Sequence, residues 1–123
     1  MFLRRMGLCL AVLLLGCESP VTTSHPVLLV TDPEPVASGE VLGCLLNWEV
    51  GELVAHPMGG TALKESSAVV PLVWPAGYTG RRVEGILEIS DAGGRPVART
   101  GERYKMWRTD GRPGFVVCDV APE

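Results

Sequence analysis

Residues 82–90 read RVEGILEIS and carry the clearest structural pattern in the chain. In an extended backbone neighbouring side chains point to opposite faces, so alternation of apolar and polar residues gives a strand one buried and one solvated face. The first face would hold Val83, Gly85, Leu87 and Ile89, and the second Glu84, Glu88 and Ser90. The stretch therefore predicts one β-strand, residues 82–90, in a domain built from sheets.

Five further stretches around it have strand composition and are separated by turns rich in Gly, Pro and Asp. They are residues 40–49, 68–74, 96–100, 103–108 and 115–120. Short strands at regular spacing are typical of an all-β barrel or sandwich, and we expect about five to seven of them. Pro71 cannot donate a ladder hydrogen bond, which predicts an edge or a bulge there. Residues 61–67 are expected to form one helical turn.

The beginning of the chain has a different composition. Arg4 and Arg5 precede an apolar, uncharged run at residues 6–16. A positive start followed by such a run is typical of an export signal, and the run is shorter than the roughly 20 residues that a membrane-spanning helix needs. We expect residues 1–16 to be a signal peptide that is removed.

The signal ends in Leu14-Leu15-Gly16-Cys17, which resembles the lipobox of bacterial lipoproteins. The resemblance implies cleavage before Cys17, attachment of a diacylglyceryl group to its sulfur, and acylation of the new N-terminus. Such a protein is anchored to a membrane at the cell envelope. Glu18 stands where an aspartate often marks inner-membrane retention, which favours the outer membrane or the cell surface. An ordinary leader with a chance cysteine is the alternative.

Residues 17–39 are predicted to form a disordered tether. Four prolines with Ser and Thr between them leave only residues 27–30 apolar. Such a composition buries too little apolar surface to offset the entropy of an ordered chain. Fully extended, the tether would reach roughly 70 Å at about 3.3 Å per residue. The alternative is that residues 27–30 form a short strand that docks on the domain.

Residues 40–123 then form one small domain, near the low end of the size that is stable alone. Of the four cysteines, Cys9 would leave with the signal and Cys17 would carry lipid. Cys44 and Cys118 each alternate with apolar residues, as two core-facing side chains would. In an oxidising compartment we predict a Cys44–Cys118 disulfide, and two free buried thiols are the alternative.

Motifs across this domain are similar to those of a group of small, uncharacterised bacterial exported domains. The group carries a VWP-x-G … D-x-x-G-R-x-V-A-x-x-G pattern, matched here by residues 73–77 and 91–101. The resemblance implies a small OB-like β-barrel, and it supplies no activity and no catalytic residues. The chain departs from the group at Trp107 and Arg108, where glycine-rich turns are usual.

Charge is distributed unevenly along the chain. There are 11 basic and 14 acidic side chains, and without Arg4 and Arg5 the balance becomes 9 against 14. The acidic excess lies in residues 17–80, whereas residues 81–112 are mildly basic. Because nucleic acids attract basic surfaces, an acidic exported protein is not expected to bind them.

One predicted strand places basic and aromatic side chains on a single face. Arg103, Lys105 and Trp107 alternate along it. Such a face can stack on and pair with a polyanion or a sugar, as OB barrels do. These three are candidate ligand-binding residues, and a solvated face with Trp107 covering the barrel end is the alternative. Trp74 and Tyr78 would line a loop pocket or form a structural corner.

The sequence shows no pattern of catalytic residues. Nucleophilic catalysis needs a Ser or Cys with a base in reach, and His56, the one histidine of the domain, lies in a Gly- and Pro-rich loop. We expect a turn role for it, and neither a cofactor nor a metal. The expected function is a non-catalytic binding or structural module with an envelope protein or polysaccharide as partner. A small-ligand or metal-binding module using His56 and Met58, or an accessory domain of an envelope enzyme, are the alternatives.

Overall fold

A computed structural model describes residues 24–33 and 43–123 of the chain. This described part is all-β and contains no helix, so the predicted fold class is confirmed. It holds more strands than the expected five to seven. The nine strands are β1 Ser24–Val27, β2 Cys44–Ala55, β3 Thr61–Lys64, β4 Val69–Val73, β5 Thr79–Val83, β6 Ile86–Ser90, β7 Pro96–Arg99, β8 Arg103–Thr109 and β9 Phe115–Pro122.

Five of the strands form a closed barrel in the order β2-β3-β4-β9-β8. Its neighbours are antiparallel, except that β4 and β9 pair in parallel over Leu72 and Val73. Pro71 pairs with Ala62 of β3, and the pairing with β9 begins only at Leu72. Pro71 therefore lies where β4 has a neighbour on one side, as its missing donor requires.

The other four strands form an antiparallel sheet in the order β1-β5-β6-β7. One face of this sheet packs against the barrel, because residues of both belong to the same buried cluster. The sheet contributes Leu87, Ile89 and Ala98, and the barrel contributes Leu53, Leu63, Leu72 and Met106. A single hydrophobic core thus joins the two sheets.

Part of the predicted tether is folded. β1 pairs with β5, Leu29 is buried in the core, and Thr31 bridges to Trp74. The prediction of a tether is therefore wrong for residues 24–33; a docked strand is found, but it lies at Ser24–Val27 rather than at residues 27–30. Gly80 makes this packing fit, since a Cβ there would lie 2.9 Å from a methyl carbon of Leu29. Composition alone could not reveal that partner.

Residues 82–90 form a hairpin of two strands rather than one strand. β5 ends at Val83 and β6 begins at Ile86, and the turn residues Glu84 and Gly85 have φ angles of 52° and 81°. Positive φ at both central positions is typical of the two-residue turn that matches strand twist. Leu87 is buried as expected. The register pairs Val83 with Ile86 and Arg82 with Leu87, so Val83 lies on the face opposite Leu87, and the predicted grouping of Val83 with Leu87 and Ile89 on one face is wrong.

Residues 61–67, which were expected to contain a helical turn, contain β3 instead. β3 pairs with β2 on one side and β4 on the other. A Cβ on Gly51 of β2 would lie 2.6 Å from the carbonyl oxygen of Lys64. Only glycine therefore allows this approach of the two strands. β2 consequently continues to Ala55, past its predicted end at residue 49.

A disulfide joins β2 to β9. Cys44 and Cys118 are linked with their Cα atoms 5.5 Å apart and a sequence separation of 74. The predicted pairing is confirmed, but its predicted place in the core is wrong, because Cys44 is exposed and Cys118 is half-buried. β2 is irregular between Cys44 and Trp48, and such a bulge breaks strict alternation.

Cys17 and the rest of the lipobox lie outside the described residues, as do residues 34–42. The signal peptide, the lipidation and the remaining parts of the tether therefore stay predictions. Within the ranges that are described, no helix is long and apolar enough to cross a membrane.

Candidate ligand-binding face

The outer side of β2 and β8 brings aromatic and basic side chains together. Alternate residues of β8 are buried, and the predicted set of Arg103, Lys105 and Trp107 lies between them on the outside. The antiparallel register then places Trp48 of β2 opposite Trp107. Two tryptophans from neighbouring strands thus meet on the exterior of the barrel.

The two rings form one continuous aromatic surface. The centroids of Trp48 and Trp107 are 5.9 Å apart, and the ring planes are inclined by 52°. The ammonium of Lys105 lies 5.6 Å from the centroid of the Trp48 ring, which is a cation–π distance. Trp48 is 52% exposed. The site therefore offers two apolar planes of different orientation beside a positive charge.

β2 also exposes an aliphatic residue. Leu46 precedes Trp48 by two residues in β2 and is 91% exposed. A single exposed leucine is ordinary, but apolar residues exposed together are typical of binding surfaces. We refer to Trp48, Lys105 and Trp107 as the β2–β8 face.

Charged residues border the β2–β8 face. Asp119 of β9 lies opposite Trp107 in the register. Arg103 forms an ion pair with Glu123, and this hydrogen bond raises the pKa of Arg103. Arg103 is thus engaged within the domain, whereas the Lys105 ammonium lies over the Trp48 ring. Of the predicted residues, Lys105 and Trp107 are the two that the geometry combines into a site.

The structure separates Trp74 from this face. Trp74 is wholly buried, and its indole N–H donates to Oγ1 of Thr61 at 2.8 Å. Tyr78 stacks on it with centroids 6.0 Å apart. Burial, followed by the charges of Asp91 and Asp119, raises the pKa of Tyr78. The prediction that Trp74 lines a ligand pocket is wrong, because its side chain does not reach the surface; the structural corner is found instead.

Trp48 is the residue of this face that the sequence prediction missed. Strict alternation in residues 40–49 assigns Cys44 and Leu46 to the core, and Trp48 shares their side of the strand. In the structure residues 44–48 are exposed on both sides of the strand, and Trp48 lies outward. The signal that would have found it is Leu53, which is wholly buried and belongs to the opposite set. Counting back from Leu53 gives the correct side.

A polar cluster joins β7 to β8 beside a cleft of about 420 Å³. The Tyr104 hydroxyl accepts from the backbone N–H of Arg99 at 2.9 Å and donates to Glu102 at 2.8 Å. The Arg99 side chain also donates to Glu102 at 2.8 Å. The hydrogen bonds from Tyr104 and then Arg99 lower the pKa of Glu102. A carboxylate stabilised in its charged form is a weak base. We therefore interpret the cluster as a structural connection between β7 and β8.

Two carboxyl groups meet near the end of β3. Burial, followed by the hydrogen bond and the charge of Glu49, raises the pKa of Glu65. Oε2 of Glu49 is buried and has no hydrogen-bond partner among the described residues. A neighbouring carboxylate disfavours the charged form, so Glu65 holds its proton more readily than an isolated carboxyl group.

The loop between β2 and β3 is stabilised by His56. Nδ1 of His56 accepts a hydrogen bond from the backbone N–H of Met58 at 3.1 Å, which is the expected turn role. In residues 24–33 and 43–123, no three His, Cys, Asp or Glu side chains are grouped to hold a metal ion. Comparison of the chain with protein families, curated proteins and solved structures found no match.

Proposed function

We propose that the chain is a lipid-anchored, non-catalytic protein of the cell envelope, and that its barrel binds a polysaccharide through the β2–β8 face. The lipobox ending at Cys17 supports the anchor. The disulfide supports an oxidising compartment. The observation that carries the binding role is the contact of the exposed Trp48 with the half-buried Trp107, with Lys105 beside them.

The chemistry of the face favours a sugar over a nucleic acid. Sugar rings pack their C–H faces on tryptophan and need both donors and acceptors for their hydroxyls. Lys105 supplies donors, and Asp119 beside Trp107 supplies an acceptor. Two planes inclined by 52° suit successive units of a twisted chain, whereas the acidic balance of the sequence opposes a polyanion.

We infer that the barrel is OB-like from its strand order. Along the barrel the first three strands are sequence neighbours, the fifth lies beside the third, and the fourth closes against the first. The parallel pairing of β4 with β9 agrees with a Greek-key closure of this kind. OB barrels bind oligosaccharides and oligonucleotides between the loop after the first strand and the loop before the last.

In this chain its own residues 29–32 connect those two loops. A Cβ on Gly60, in the loop after β2, would lie 2.8 Å from the side chain of Val30. Asp32 pairs with Arg112, in the loop before β9, at 3.5 Å. The region where OB barrels usually hold a ligand is therefore covered, which favours the β2–β8 face as the binding surface.

The test is binding of the mature protein to isolated peptidoglycan and to soluble chito-oligosaccharides. We expect Trp48→Ala and Trp107→Ala each to weaken binding about ten-fold, since an aromatic stacking contact contributes roughly 1–3 kcal/mol. Met58→Ala is the matched control, because Met58 is apolar and 90% exposed in a loop outside the face. It is expected to leave binding unchanged.

The proposal would be contradicted if neither glycan bound saturably. It would also be contradicted if Met58→Ala lowered glycan affinity as much as the tryptophan variants do. Urea midpoints of the variants confirm that each is folded. Capture of an envelope protein through the same tryptophans, without competition by the glycans, would replace the polysaccharide with a protein partner.

A further inference from the structure

The folded start of β1 shortens the link between the domain and the proposed anchor. β1 begins at Ser24, seven residues after Cys17, which allows a reach of roughly 23 Å at about 3.3 Å per residue. Residues further along add nothing to this reach, because Leu29 is buried in the core and Asp32 pairs with Arg112. Lipid on Cys17 would therefore hold the Ser24 end of the domain close to the bilayer.

The β5–β6 turn lies at that end. The register pairs Ser24 with Val83 and His25 with Arg82, and the chain turns at Glu84 and Gly85 immediately afterwards. The surface nearest to the anchor is thus the tip of this hairpin together with the start of β1.

The side chains near this tip suit a lipid surface. Arg81 and Arg82 are exposed, and neither forms an ion pair with another described residue. Ile86, just past the turn, is 41% exposed. Two acidic residues oppose them, Glu84 in the turn and Glu88 opposite Arg81. Basic residues are attracted to an anionic membrane surface, and a basic patch combined with acyl chains strengthens membrane attachment.

We propose that the β5–β6 turn rests against the bilayer that holds Cys17, with Arg81 and Arg82 at anionic lipid phosphates and Ile86 at the head-group boundary. This inference rests on the proposed lipidation. It assigns the domain an orientation on the membrane as well as an attachment.

The first experiment measures depth with a fluorescent label on a single introduced thiol in the full-length lipidated protein. Ile86→Cys carries the label at the turn, and Met58→Cys carries it in the loop after β2. The chain's own mature thiols do not react, because Cys17 carries lipid and the other two are paired. In vesicles with phosphatidylglycerol and a head-group quencher, we expect at least three-fold stronger quenching at position 86 than at 58. Equal quenching, or stronger quenching at 58, overturns the inference.

The second experiment tests the arginines. In the Ile86→Cys protein, Arg81→Glu with Arg82→Glu is expected to reduce quenching at the turn about five-fold or more, since each arginine contributes about 1 kcal/mol near an anionic surface. The charge-matched control is Arg95→Glu with Arg108→Glu, on exposed residues away from the turn. If both double variants reduce quenching equally, the assignment of the membrane contact to the β5–β6 turn is overturned.

Flotation with the vesicles separates the two proposals. Protein that floats, with a Cys17→Ser variant that does not, supports the anchor whatever the quenching shows. Protein that fails to float refutes the anchor, and the orientation falls with it.

Discussion

Removing the Cys44–Cys118 disulfide is predicted to cost the domain a large part of its stability. The perturbation is the double substitution Cys44→Ala with Cys118→Ala. Because Cys44 is exposed and Cys118 is only half-buried, the alanines remove little packed surface. The loss then comes mainly from the unfolded chain, which gains conformational freedom once the link is gone.

The magnitude follows from the length of the linked loop. A separation of 74 residues corresponds to about 4.5 kcal/mol on the loop-entropy estimate. Small domains have total unfolding free energies of roughly 5–15 kcal/mol, so the loss is between a third and nearly all of it. With a urea m-value of about 2 kcal/mol/M, the midpoint falls by about 2 M.

The assay is urea unfolding followed by circular dichroism and by tryptophan fluorescence, to which the buried Trp74 contributes. The matched control is the native sequence in its reduced form, which is expected to unfold at the same midpoint as the double variant. A loss below about 1 kcal/mol in the double variant would refute the loop-entropy reasoning. A large difference between the variant and the reduced protein would show that the alanines act through packing.

Leu29→Ala is expected to cost about 2–4 kcal/mol, because Leu29 is buried, whereas Leu28→Ala, at a site 92% exposed, changes little; equal urea midpoints would contradict the docked segment. Glu84→Asn is expected to stabilise the hairpin by up to about 1 kcal/mol, since asparagine tolerates positive φ better than glutamate, and a lower melting temperature would contradict this. The raised pKa of Glu65 means that its protonated form favours the folded state. The contribution of Glu65 to the free energy of unfolding is therefore present below pH 4.5 and is lost as pH rises through the folded-state pKa. In the Glu65→Gln variant the melting temperature should therefore fall less steeply as pH rises above 4.5. An unchanged slope would show that the interaction of Glu65 with Glu49 does not contribute to the pH dependence of stability.

The strands that could be predicted are those in which apolar and polar residues alternate with the two-residue period of a pleated strand. The buried Leu87 and Ile89 of β6 and the outward Lys105 and Trp107 of β8 follow a period of two, so composition and order were sufficient for them. The Cys44–Cys118 pairing was also predictable, because two cysteines at the ends of a small domain that is expected to be exported have few other roles.

The features that were missed depend on partners distant in sequence. β3 is a strand because Gly51 allows close approach, and Leu29 is buried because Gly80 leaves space. Neither fact can be seen in the local composition of the segment concerned. Trp48 differs from these two, because its outward direction follows from the regular pairing of residues 48–52 with β8 and could have been read from the buried Leu53 of the same strand.

The position of β9 has a consequence for how such a chain matures. β9 pairs with both β4 and β8 and carries Cys118. Before it arrives, the other barrel strands are an open sheet with two unpaired edges. The exported chain that we propose would cross the membrane with its N-terminus first. Its barrel therefore cannot close until β9 has crossed as well. Barrel closure and formation of the Cys44–Cys118 disulfide then occur together, late, after the chain has crossed the membrane.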